Sequence, residues 1–130
     1  MTNKNKSKTF FIIAGEESAD NHGAALINAI HALNPEINFI GIGGEKMIKA
    51  GLKSMEDIKK LAIMGFIEVL KHLSFFNNLT KRILEEIMRI NPDQIILIDY
   101  PGFNLRLTKK IKKNHNIPIT YYISPQIKTQ

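Results

Sequence analysis

Short continuous apolar runs alternate along this chain with longer segments whose apolar residues recur every three or four positions. Thr9–Ala14 (TFFIIA), Ile37–Ile42 (INFIGI), Gln94–Ile98 (QIILI) and Ile117–Ile123 (IPITYYI) are of the first kind. All four read as strands, and Thr9–Ala14 is continuous and apolar, as a strand buried on both faces should be. A weaker strand is expected near Leu52–Met55. After the first run comes Gly15-Glu16-Glu17-Ser18-Ala19-Asp20, and then a helix with Leu26, Ala29, Ile30 and Leu33 at i, i+3, i+4 and i+7, ended by Asn34-Pro35. Asn104 has the side chain of an N-cap and is expected to open a short basic helix through Lys113. Strand and helix alternate throughout, which predicts an α/β fold: a Rossmann-like parallel sheet flanked by helices, with right-handed crossovers.

The segment between Asp57 and Ile90 reads as helical with an unusual apolar load. Leu61-Ala62-Ile63-Met64-Gly65-Phe66-Ile67 is almost wholly apolar, and Val69, Leu70, Leu73, Phe75 and Phe76 extend it, with Lys71, His72, Lys81 and Arg82 close by. A surface helix of a globular domain carries one apolar stripe, and this segment exceeds it. Two readings stand open: helices crossing the core against the sheet, or an amphipathic surface that dips into a bilayer or holds an acyl chain.

Composition narrows the class. The 130 residues suffice for one domain or part of one, and 44% hydrophobic with 23% charged residues is ordinary for a globular chain. Zero Cys excludes disulfide scaffolds, Cys-ligated zinc and thiol catalysis, and suits a reducing compartment. The net charge is +6, with Lys4, Lys6 and Lys8 in a polar tail over residues 1–8 and Lys109, Lys110, Lys112 and Lys113 in a second cluster. Phe10–Ala14 is too short for the apolar part of a secretory signal, and no run approaches a membrane span. No nucleic-acid module with interleaved aromatics accompanies the lysines. The clusters are then either solvated faces or surfaces for an anionic membrane or a phosphorylated substrate.

Ligands of open α/β sheets bind beyond the carboxyl ends of the strands, so candidate chemistry is sought after each strand. Glu16, Ser18 and Asp20 follow the first, around a helix N-terminus that favours anions, where Asp20 also suits simple capping. Gly41-Ile42-Gly43-Gly44 resembles a phosphate-binding turn, but Lys46 stands where a dinucleotide fingerprint needs its third Gly. A tight turn explains it better, and NAD binding is rejected. Asp99 ends five apolar residues at the sheet's rim, where desolvation raises a carboxylate's pKa and makes a general base, unless it serves its own turn. The histidines His22, His31, His72 and His115 have no metal-ligand spacing; His31 and His115 read as surface residues, and His22 stands near Ser18 and Asp20. No metal and no cofactor is expected.

Five motifs resemble the lipid-A-disaccharide synthase family in order: Gly15-Glu16-Glu17-Ser18-Ala19-Asp20 with Gly23-Ala24 and Leu26; Gly41-Ile42-Gly43-Gly44 with Met47; Leu61 to Leu70; Ile98-Asp99-Tyr100-Pro101-Gly102-Phe103-Asn104; and Tyr121-Tyr122-Ile123-Ser124-Pro125-Gln126. The resemblance implies a two-domain GT-B glycosyltransferase on the cytoplasmic side of the Gram-negative inner membrane. Such an enzyme moves diacylglucosamine from a UDP carrier to the 6-hydroxyl of 2,3-diacylglucosamine 1-phosphate, giving UDP and lipid A disaccharide 1-phosphate. Carried over by position, Asp99 is the expected base, and Glu16, Ser18, Asp20 and Asn104 the expected substrate-binding residues. Met64, Phe66, Ile67, Leu70 and Leu73 are the expected membrane and acyl contacts, on a protein held peripherally at an anionic membrane surface.

The family usually continues after Ser-Pro-Gln with a Trp-Ala-Trp-like run, whereas this chain has Lys128 and Gln130 and no Trp. The resemblance therefore implies that residues 9–130 are an incomplete N-terminal, acceptor-side domain, with the donor-binding C-terminal domain absent. The alternative is a truncated, non-catalytic lipid- or membrane-binding module of the same fold.

Overall fold

The computed structural model describes residues 7–14, 17–57, 73–98 and 101–122. The elements are β1 (Thr9–Ala14), α1 (Glu17–Leu33), β2 (Asn38–Gly43), α2 (Glu45–Ala50), β3 (Leu52–Asp57), α3 (Leu73–Ile90), β4 (Gln94–Ile98), α4 (Pro101–Asn114) and β5 (Ile119–Tyr122). The five strands form one parallel sheet in the order β3-β2-β1-β4-β5. The expected Rossmann-like α/β arrangement is thus the observed one, with its order reversing between β1 and β4.

Strand side chains alternate between two cores. Phe11, Ile13, Ile95 and Leu97 point to one face, where Leu79, Ile83 and Ile87 of α3 and Leu107 and Ile111 of α4 cover them. Ile12, Ala14, Ile96 and Ile98 point to the other, against Ala19 and Ile27 of α1 and Met47 of α2. Each fully buried Ile or Leu contributes about 1.5–3 kcal/mol, which is why runs without polar interruption form the middle of the sheet.

The boundaries differ from expectation in instructive places. The weak strand at 52 is a full six-residue partner of β2. β5 begins at Ile119 rather than Ile117 because Pro118 has no N–H; only its carbonyl joins the ladder, accepting from the Ile95 N–H at 2.9 Å. α1 begins at Glu17, so Ser18 and Asp20 lie in its first turn and not in a loop. Its buried stripe is Ala19, Gly23 and Ile27, with Leu26 and Ile30 on the flank, while Leu33 is 88% exposed. α4 begins at Pro101, three residues before the expected cap. Proline's fixed φ and missing N–H suit the first helical position, so Asn104 falls inside the first turn.

His31 is half-buried and structural, contrary to the surface reading. Its Nε2–H donates to the Ile37 carbonyl at 2.9 Å, and its ring meets Phe39 edge-on at 5.1 Å. Gly41 in β2 has φ +152°, and a Cβ there would lie 1.9 Å from the Ile12 carbonyl oxygen, so only glycine lets β2 lie this close to β1.

Candidate functional site

In open α/β sheets ligands bind in the crevice expected where the strand order reverses, which here falls at the carboxyl ends of β1 and β4. Ala14 of β1 is the register partner of Ile98 of β4, and Ile98 in turn of Tyr122 of β5. One row of residues thus closes three adjacent strands. Glu16 follows Ala14 by two positions and Asp99 follows Ile98 directly. Both lie outside the described residues, as do Met64, Phe66, Ile67 and Leu70; Leu73 is the first residue of α3.

Asp20 has the best-defined role of the candidate residues. It is 93% buried, and its carboxylate reaches across from α1 to the start of α2. Oδ1 accepts from the Gly44 and Met47 N–H groups, each at 3.0 Å, and Oδ2 from the Lys46 N–H at 3.1 Å. These are the donors that the first turn of a helix leaves open. Asp20 therefore does cap a helix, but the neighbouring one and not its own. The turn into α2 is consequently a poor phosphate cradle: the chain's own carboxylate already occupies the Gly44, Lys46 and Met47 N–H groups.

The glycines around this clamp serve close packing. Met47 is fully buried between α1 and β2, and a Cβ on either Gly23 or Gly43 would sit 2.5 Å from its Sδ. At Gly43 the Leu52 side chain closes the other flank at 2.8 Å. Gly43→Ala is expected to lose about 1–3 kcal/mol in urea denaturation, the usual loss on overpacking a core. Combining Gly23→Ala with Met47→Ala should destabilise by clearly less than the sum of the two single changes, since each relieves the other.

Asn104 is fully buried, and its Nδ2 donates to the Ile98 carbonyl at 3.5 Å. The first turn of α4 is thereby tied to the last residue of β4, one position before Asp99. Ser18 is exposed on the first turn of α1. His22, one turn further, meets Tyr122 edge-to-face at 6.3 Å. The contact joins α1 to the end of β5 and brings two polar rings to the same end of the sheet as the crevice. Sequence reasoning gives Tyr122 only a place in the last strand; it lies on the face opposite to Tyr121, which packs on the α3–α4 core. Among the described residues no group of three or more His, Asp or Glu could hold a metal ion.

A sequence model of the family described as lipid-A-disaccharide synthetase matches residues 10–129. The chain belongs to the lipid-A-disaccharide synthase family. It is 46% identical over 126 residues to the lipid-A-disaccharide synthase of Trichlorobacter lovleyi, an alignment covering 94% of this chain and 32% of that protein. It is 39% identical over 124 residues to that of Geobacter sulfurreducens, covering 95% and 32%. Lipid-A-disaccharide synthase 1 of Legionella pneumophila is 42% identical over 116 residues, covering 89% and 30%. The chain thus spans about a third of the length of the curated relatives it matches. The matched region contains the Asp20 clamp and the Met47 packing, so the residues quoted for the resemblance at these two places have structural reasons to be there.

Proposed function

We propose that this chain is the acceptor-side part of a lipid-A-disaccharide synthase, a GT-B glycosyltransferase. It joins the diacylglucosamine of a UDP carrier to 2,3-diacylglucosamine 1-phosphate. The observation that carries the reading is the pairing of Ala14 with Ile98 at the strand-order reversal, because Glu16 and Asp99 follow those two residues in the chain.

In this reading the acceptor's 6-hydroxyl oxygen attacks the anomeric carbon of the donor. The bond from that carbon to the UDP oxygen breaks, the configuration inverts, and the hydroxyl proton passes to the Asp99 carboxylate. Glu16 and Ser18 bind polar groups of the acceptor at the mouth. Asn104 positions Asp99 by holding the Ile98 carbonyl, and Asp20 positions the α1 end of the crevice through its clamp on α2. Met64, Phe66, Ile67, Leu70 and Leu73 take the acyl chains, and the protein works peripherally at the inner face of an anionic inner membrane. No helix among the described residues is long and apolar enough to cross a membrane.

A chimera tests this directly. This chain replaces the matching part of the Trichlorobacter lovleyi protein, to which it is 46% identical. The expected result is release of UDP dependent on the acylated sugar phosphate. A folded chimera that binds the acceptor without releasing UDP would instead establish a non-catalytic lipid-binding module.

A further inference from the structure

The net charge of this protein resides in one layer. Helices α3 and α4 carry Lys81, Arg82, Arg89, Arg106, Lys109, Lys110, Lys112 and Lys113 against Glu85 and Glu86, a balance of +6. The rest of the chain has ten basic and ten acidic residues. On the opposite side of the sheet α1 has Glu17 and Asp20 and no Lys or Arg, while α2 has Glu45, Lys46 and Lys49.

The cations of α4 face outward. Leu107 and Ile111 are buried in the core, whereas Arg106, Lys109, Lys110, Lys112 and Lys113 are exposed. Among the described residues none of these five enters an ion pair; the acidic charge of α3 is partly spent within that helix, where Arg89 binds Glu86 and holds its carboxyl below the usual carboxylate range. The two helices form one continuous surface, because a groove of about 320 Å³ between them is lined by Lys81, Leu84 and Met88 of α3 and by Lys110, Asn114 and His115 beyond it. Met88 and Leu105, 68% and 51% exposed, stand on this layer among the cations. Between Asn77 and Ile90 and between Asn104 and Asn114 no Phe, Tyr or Trp is interleaved with these cations, as a nucleic-acid face would want.

We propose that the outer surface of α3 and α4 is the docking face of the protein on an anionic lipid bilayer, with the lysines of α4 bound among headgroup phosphates and Met88 and Leu105 set into the interface. The proposal deepens the membrane reading above by naming the surface and the orientation. Charge complementarity carries it: long-range attraction to an anionic leaflet turns the α3–α4 side toward the bilayer and the α1–α2 side away.

The test measures sedimentation of the full chain with vesicles of phosphatidylcholine, with or without phosphatidylglycerol. The Lys109→Gln, Lys110→Gln, Lys112→Gln, Lys113→Gln variant is compared with a Lys8→Gln, Lys46→Gln, Lys49→Gln, Lys53→Gln variant of equal net charge. The expected result is salt-sensitive binding to the anionic vesicles, weakened about a hundredfold or more in the α4 variant and under about fivefold in the other. Equal losses in the two variants would overturn the proposal, since net charge and not this face would then matter. Undiminished binding of the α4 variant would also overturn it while leaving the membrane reading intact on another surface. If the unmodified chain ignores anionic vesicles, both fall. Tighter binding to a short RNA duplex than to vesicles at the same salt would reassign the face to nucleic acid.

Discussion

Asp20→Ala is expected to destabilise the fold by about 3–5 kcal/mol, although Asp20 belongs to a helix and not to the sheet. The substitution removes one carboxylate and strands three N–H donors, those of Gly44, Lys46 and Met47. An unsatisfied buried donor costs about 1–3 kcal/mol, and the Gly44 and Met47 groups are the buried ones. Gly44, at the N-cap position of α2, has no side chain to take over. At a urea slope of about 1–3 kcal/mol per molar, the midpoint moves down by roughly 1–5 M. Asp20→Asn keeps one acceptor oxygen and should lose less, whereas Ser18→Ala, at an exposed position on the same turn, should stay within about 0.5 kcal/mol. A loss below about 1 kcal/mol for Asp20→Ala would show that the carboxylate does not hold α2.

The second large effect belongs to the reaction. In the chimera, Asp99→Asn is expected to lower kcat about 10²–10⁴-fold with little change in KM for the acceptor, because the amide keeps the shape of the side chain and loses only its ability to take a proton. That range corresponds to roughly 3–5.5 kcal/mol of transition-state stabilisation. A pH profile separates this from a structural fault: loss of a general base removes the acidic limb of the rate profile, while a packing defect scales it at every pH. Unchanged turnover in Asp99→Asn would remove Asp99 from the mechanism, and Glu16→Gln would then be the next variant to assay.

The middle of the sheet was legible because β1 and β4 are buried on both faces. Runs such as Phe10–Ala14 and Ile95–Ile98 have no polar alternation to confuse them with helices. β3 was faint because it lies at the end of the strand order, where Lys53 is exposed and a register shift separates its pairing with Gly41 from that with Ile42. The face of α1 was misread for a physical reason. Its large residues Leu26, Ile30 and Leu33 trace a clear period, but the contact with the sheet is made by Ala19, Gly23 and Ile27. Small residues sit where a helix must approach closely, and a hydrophobicity pattern weights them least. Asp20 and Asn104 were both recognised as polar side chains at helix starts. Their partners, 24 and more residues away for Asp20 and back across the strand end for Asn104, depend on tertiary structure that local spacing does not contain.

The Asp20 clamp has a consequence for how the domain opens. Capping is normally a local affair, so that the end of a helix frays without disturbing its neighbours. Here the cap of α2 is a residue of α1, and Met47, held by that cap, is wedged against Gly23 of α1 and Gly43 of β2. The first turn of α2 cannot fray without emptying a carboxylate on α1 and loosening the packing between α1 and the sheet. Residues 17–50 are therefore joined into one cooperative unit, and the first turn of α1 is tied down by a helix it does not belong to.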